Sequence, residues 1–277
     1  MNPTILYHYT SLEAFQGIIS VGRIRATHYR HLWGDPQELR FGVDKLLAAV
    51  KQHNVDDSQR DYRDYLVWFV EQFKREELEV YVLSLTEEED SQYHWREYAP
   101  CGVAIGFCHD RVREGFPIDI TRRVGGAKID NPIRPDPANR FMRCRYIHTL
   151  DLPALVAERF FSPNSYPVMF GKPMGRIWFD STLAVSIYQT ICSIKRKRFV
   201  DDVECRCVHL NPDQHEYPVK PDEKGRPYIE MQFDPKEFVN EVWIGPHACH
   251  QACEDVIEAL VDKGRLRCDV RNSAISH

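Results

Sequence analysis

No stretch of the 277-residue chain holds the ~20 consecutive apolar residues that cross a bilayer, which argues against an integral membrane protein. The N-terminal MNPTILYHYTS lacks both a basic start and a long apolar run, so a secretory signal is not expected and a cytoplasmic setting is. A basic excess is also missing. The 36 basic and 41 acidic residues leave a formal charge of −5, so the chain as a whole is no nucleic-acid coat. There is no internal repeat, no low-complexity tract and no convincing linker. The phosphate-binding loop, the G-x-G-x-x-G fingerprint and the G-x-S-x-G elbow are all absent. With 43% hydrophobic and 28% charged residues, neither a mainly disordered chain nor a fibrous one is expected. Cysteine is not scarce. The nine residues are odd in number and scattered, which argues against a disulfide framework, and Cys108 and Cys192 sit in apolar runs as small buried hydrophobes.

The first 30 residues read as strand, helix, glycine and strand. Ile5 to Tyr9 is β-rich. Thr10 and Glu13 have capping-box spacing, and Leu12, Phe15, Ile18 and Ile19 follow at helical steps. Gly22 stops the helix, and Ile24 to Thr27 forms a second strand. After the Gly-Asp-Pro turn, helices are expected over Pro36–Val50 and Gln59–Lys74. Strands are expected over Val80–Thr86 and Gly102–Cys108, with a weaker one at Arg143–His148. A third helix runs over Trp178–Ile194 into Lys195–Arg198. Strands then cover Val203–Leu210, Tyr228–Phe233 and Val239–Ile244. A helix over Cys249–Lys263 stops at Gly264, and Arg267–Val270 makes a last strand. The stretch Ile118–Arg140 reads as an extended loop, long enough that binding or mobility would have to explain it. One α+β domain over 1–277 is the simplest architecture. It carries a helical insertion at about 36–76 and a long basic loop at about 111–145.

Four segments bear on chemistry. In YHYTS, a neutral His8 ring can donate and accept, which suits the vicinal hydroxyls of a ribose; the alternative is a histidine satisfied by backbone. In VYVLSLT, Ser84 and Thr86 alternate against Leu83 and Leu85. In the following W-R-x-Y, Trp95 and Tyr98 suit ring stacking and Arg96 suits phosphate, unless they form an ordinary strand and surface turn. In FVDDVECRCVHL, Glu204 shares a strand face with Arg206. An acidic residue among apolar ones is costly unless it is paired or used. The pairing would be a salt bridge to Arg206, and the use would be stabilisation of a developing oxocarbenium ion. Fourth, Arg111–Arg145 holds nine basic residues against four acidic ones and is the better nucleic-acid or phosphate candidate. The Lys195–Arg198 run reads as a solvated helix end. PHACHQAC reads as a buried helix face rather than a zinc site.

Several blocks together carry a resemblance. They are LYHYTSLEAFQGIISVGRIRATH, GDPQELRFG, VYVLSLTEEEDSQYHWREYAPCGVAIGF, F-x-D-D-x-E-C-R-C-V, PYIEM and EVWIGPHA. Over about residues 5–274 the chain resembles the DUF2971 family of bacterial proteins, whose name records no function. More distantly, Y-H-Y-T-S, a helix and G-x-I-x-A resemble the opening of ADP-ribosyltransferase-fold proteins, including DarT-like toxins and RNA 2′-phosphotransferases. That resemblance implies a split antiparallel sheet with helical insertions and NAD as the substrate consumed. It implies a toxin or anti-phage effector, with a nucleic-acid or protein acceptor and an antitoxin or other defence-system partner. By position it assigns His8 to the first-strand residue, Ser84 to the middle-strand residue and Glu204 to the late carboxylate. Glu204 and His8 would be catalytic. His8, Tyr9, Thr10, Arg25, Ser84, Arg96 and Tyr98 would bind the dinucleotide, with Tyr9 or Tyr98 stacking on nicotinamide and Arg25 or Arg96 meeting phosphate. The tryptophan that follows the acidic residue in that family is Cys205 here. Alternatives are an NAD glycohydrolase and a non-catalytic nucleotide or nucleic-acid sensor. A metal-dependent nuclease lacks a clustered ligand motif.

Overall fold

The structure, a computed structural model, describes residues 4–32, 35–75, 79–116, 121–124, 127–130, 141–162, 176–210 and 218–275. In chain order the elements begin with β1 (Ile5–Thr10), α1 (Leu12–Val21), β2 (Arg23–His28), α2 (Glu38–Gln52) and α3 (Arg60–Arg75). Next come β3 (Val80–Thr86), α4 (Gln92–Tyr98), β4 (Val103–Cys108), α5 (His109–Glu114), β5 (Thr121–Val124) and β6 (Ala127–Asp130). Then follow β7 (Phe141–Arg143), β8 (Arg145–Tyr146), α6 (Leu152–Phe160), α7 (Arg176–Ser193), β9 (Ile194–Lys195) and β10 (Glu204–Leu210). The chain closes with β11 (Lys220–Pro221), β12 (Pro227–Gln232), α8 (Pro235–Phe238), β13 (Val239–Ile244), α9 (His250–Asp262) and β14 (Asp269–Asn272). No described helix is long and apolar enough to cross a membrane.

The chain is α+β and divides into two compact units. The first comprises 1–31, 80–143 and 201–277; the second comprises 32–79 and 144–200, which takes in the expected helical insertion at 36–76. The first unit is built on a ten-stranded, mostly antiparallel sheet with main order β11-β12-β2-β3-β1-β4-β13-β14. One edge of β3 is filled by β10 from Glu204↔Thr86 to Leu210↔Val80. The other edge is shared. β2 pairs at Thr27↔Val82 and His28↔Tyr81, and β1 pairs only at Tyr7↔Thr86. Two half-sheets therefore hang on one strand and diverge over Leu83–Leu85.

The β1-α1-β2 turn that makes this divergence is encoded locally. Ser11 caps α1 by accepting the Ala14 N–H, one residue later than the Thr10 cap expected from spacing. Thr10 instead ends β1, paired with Val103. Phe15 and Ile19 bury the apolar face of α1. Gly22 ends it at φ +66, where a Cβ would also stand 2.6 Å from the Phe233 carbonyl, so only glycine fits. The core beneath the sheet includes Leu6, Phe15, Ile24, Leu83, Ile105 and Cys205. Tyr7, Tyr9, Trp95, Ala104 and Trp243 cluster on the opposite face.

Four local expectations are corrected. The W-R-x-Y segment is helix α4, not a surface turn. Inside the expected loop Ile118–Arg140, β5 and β6 form a two-stranded ladder, and 118–120, 125–126 and 131–140 lie outside the described residues. The strand expected at Arg143–His148 is two pieces, because β7 joins β10 while β8 joins β9. Lys195 is not a solvated helix end: it lies in β9, is buried, and reaches Glu38 at 3.7 Å.

In the second unit, α2 meets α7 at Gly42, where an added Cβ would stand 2.2 Å from the Ile191 carbonyl. That contact is with backbone, so relief requires the helices to part. Gly42→Ala is expected to lower stability by about 1–3 kcal/mol. Urea unfolding checks this, and an unchanged midpoint would contradict the close approach.

Candidate functional site

The gap in the sheet is where the expected residues gather. His8 is half-buried at the point where β1 leaves β3, and its Nδ1 lies 3.4 Å from the Ser84 carbonyl oxygen. A carbonyl only accepts, so Nδ1 carries the proton in this contact and the neutral ring keeps a lone pair on Nε2. Burial lowers the imidazole pKa from its ordinary value. The hydroxyl-bearing Ser84 is exposed. His8 also pairs in register with Ile105 of β4, so one edge of its strand is fixed while the other faces the gap.

Side-chain alternation sorts the rest. Tyr7, Thr86 and Glu204 are in line across β1, β3 and β10, and Arg206 stands opposite Ser84. These residues share one sheet face. His8 and Thr10 alternate onto the face of Leu6 and Ile105, so the gap, rather than a common face, relates His8 to Glu204. The Glu204 carboxylate is buried and doubly bonded to Arg206, with Nε to Oε1 and Nη2 to Oε2 each at 2.8 Å. The structural salt bridge is thus formed, and the two planar groups are locked together on one strand.

Helix α4 covers the turn before Glu204. The hydroxyls of Tyr93 and Tyr98 both donate to Asp202 Oδ1, at 2.8 and 2.9 Å. His94 Nε2 donates to the Asp202 carbonyl at 3.0 Å. Burial and the Asp202 charge raise the pKa of both phenols, Tyr93 to about 12. Between the two buried acids, Val203 adopts φ +39, a strained conformation for a β-branched residue. The Val203 carbonyl accepts a hydrogen bond from Thr86 Oγ1 at 3.2 Å. His94 is buried, and its Nδ1 has no hydrogen-bond partner.

Tyr9 is committed to structure. Its hydroxyl donates to the Glu88 carbonyl at 2.9 Å and accepts from the Ser91 N–H at 3.1 Å, while its ring stacks on His94 at 5.0 Å. The Tyr98 ring leans on His94 at 5.8 Å. Arg96 is exposed and pairs with Glu97, and Arg25 lies over the Tyr228 ring at 4.4 Å on the β2-β12 half-sheet. The structure therefore gathers His8, Ser84, Glu204, Tyr9 and Tyr98 about β3. It leaves Arg25 and Arg96 on separate surfaces of the same unit.

A third buried carboxylate, Glu241, was not anticipated. Glu241 accepts from the Tyr7 hydroxyl and Trp243 Nε1, each at 2.7 Å, and pairs with Arg271 at 3.1 Å. It stands at a cavity of about 1010 Å³ bordered also by Glu87, Glu89, Arg267 and Asp269. The signal that singled out Glu204, an acid within an apolar strand, was equally present in EVWIG. Asp202 and His94 had no such signal. The cysteines form no disulfide, and burial raises the Cys205 thiol to about 12.

Comparison of the chain with protein-family models, curated proteins and solved structures gave no match.

Two outcomes follow from the buried charges. Arg206→Met leaves the Glu204 carboxylate buried without its partner and is expected to cost about 3–5 kcal/mol. Adding Glu204→Leu should restore most of it. A double variant as unstable as Arg206→Met would contradict the pairing. Burial also lowers the His94 pKa, with the Asp202 carbonyl and nearby Glu88 and Glu204 opposing in part. The unfolded ring binds a proton near pH 6.5 and the folded ring resists it. The stabilisation is complete above that pH and is lost as the pH falls below it, by up to about 1.4 kcal/mol per pH unit. His94→Phe should flatten the fall in urea midpoint between pH 7 and pH 5.5; an equal fall in both proteins would contradict this.

Proposed function

We propose that the chain is an NAD-consuming ADP-ribosyltransferase with an ADP-ribosyltransferase-like split sheet, acting as a bacterial toxin or anti-phage effector. The observation that carries this reading is the divergence of β1 and β2 on one edge of β3, with His8 and Ser84 at the opening and Glu204 fixed on the adjoining strand. The membership in the DUF2971 family that the sequence blocks suggest belongs to the same proposal.

In this reading the dinucleotide enters the gap. The Nε2 lone pair of His8 accepts a ribose hydroxyl, and the Ser84 hydroxyl orients the same sugar. The C1′–N bond to nicotinamide breaks, its electron pair leaves with nicotinamide, and positive charge develops on the ribose. Glu204 stabilises that charge. The nucleophile, from nucleic acid, protein or water, bonds to C1′, and its proton passes to solvent. With water as acceptor the enzyme is an NAD glycohydrolase.

One observation favours a second reading. Both Glu204 oxygens already hold Arg206, as expected for a structural pair in a module that binds a nucleotide without cleaving it. Nicotinamide release from NAD separates the two. For a transferase, Glu204→Gln should lower release by about 100-fold or more, and His8→Gln should raise KM. NAD binding without release supports the module, and no NAD binding overturns both.

A further inference from the structure

The second unit carries a basic surface that the NAD reading does not use. The segments 35–45 and 194–199 contain six basic residues and three acidic ones, Asp35, Glu38 and Asp44. Lys195 is buried beside Glu38 and is structural. The residues that matter lie further out. The Arg196 guanidinium sits over the Phe41 ring at 4.6 Å, and Lys45 lies over the same ring at 5.4 Å. The Arg198 guanidinium sits over the Phe199 ring at 4.6 Å. Both arginines reach the buried Asp35 carboxylate, Arg196 in close contact and Arg198 at 3.5 Å. Their side chains remain 31% and 60% exposed, and Lys197 between them is exposed.

Each feature has a consequence. A guanidinium resting on a ring loses little further freedom when a planar group stacks on it. One carboxylate tying two guanidinium groups fixes their separation and neutralises only one charge. The result is a pair of ring-backed cationic planes with a lysine between them and net positive charge. A solvated helix end would show neither the rings nor the shared carboxylate. Planar cations at fixed spacing fit a partner that alternates phosphates with flat bases exposed for stacking, which is a single strand rather than a duplex.

We propose that Arg196, Lys197 and Arg198, backed by Phe41 and Phe199, form a binding surface for single-stranded nucleic acid. The proposal does not require the NAD chemistry, and its test contains no NAD, so either can fail alone.

Fluorescence anisotropy of the full chain with a labelled oligo-dT or oligo-rU of about 20 nucleotides, at several salt concentrations, tests it. The wild type should bind with an affinity that falls steeply with salt. Lys197→Gln with Arg198→Gln keeps Arg196 on Asp35, so folding is preserved and circular dichroism checks it. That variant should lower the log–log salt slope by about 1.4, the release from two phosphates of a single strand. Arg196→Lys with Arg198→Lys keeps the charge and removes the planes; it should keep the slope and bind several-fold more weakly. No binding by the wild type at about 50 mM salt overturns the proposal. So does an unchanged slope in the glutamine variant, or equal binding of inorganic polyphosphate and of a duplex.

Discussion

Strand β3 is the member on which the larger unit depends. Its VYVLSLT sequence gives an apolar row to the core and a second row that is apolar at Val82 and hydroxylated at Ser84 and Thr86. One edge is filled along its whole length by β10, and the other is divided between β2 and β1. One stretch of a strand edge can pair with only one partner, so β1 and β2 take different residues of β3. Divergence is the geometric outcome, and it leaves backbone at Leu83–Leu85 facing a gap. Such backbone is costly to bury unpaired. The His8 ring crosses toward the Ser84 carbonyl at that place. The constraint that splits the sheet thus also puts a titratable side chain in the opening.

Among its described residues the same unit carries three buried carboxylates, each compensated differently. Arg206 grips Glu204 in two parallel bonds, two tyrosine hydroxyls and a strained turn hold Asp202, and a phenol, an indole and an arginine share Glu241. An apolar face of similar volume would cost less, since desolvating an ion pair commonly exceeds the attraction gained. What the pairs provide is direction. Asp202 and Glu204 flank Val203 at positive φ, so α4 on one side and β3 on the other fix the approach to β10. A carboxylate held at both ends of such a turn has little orientational freedom, which the proposed transfer reaction would use.

Much of the fold was legible because local signals agree with the packing. The spacing of Phe15 and Ile19, the stop at Gly22 and the alternation in VYVLSLT all have direct counterparts. Helix α4 was not legible. It is short and rich in rings, with no periodic stripe long enough to read, and its stability comes from the buried Trp95 and from Asp202, which is distant in the chain. The cap moved from Thr10 to Ser11 because Thr10 is taken by the β1-β4 ladder, a partnership that spacing does not encode. At the site, Glu204 and Arg206 were visible as alternate residues on one strand. The roles of Asp202, His94 and Glu241 depend on which strands meet, and that is settled only by tertiary pairing.

The proposed NAD site is the gap between β1 and β2. A crystal structure of the full chain soaked with a non-cleavable NAD analogue tests it most directly. The expected result is a nicotinamide-side ribose within hydrogen-bond distance of His8 Nε2 and the Ser84 hydroxyl, with the Glu204–Arg206 pair beside it. Analogue bound at the Glu241 cavity alone, or none bound with the gap open and ordered, would contradict it.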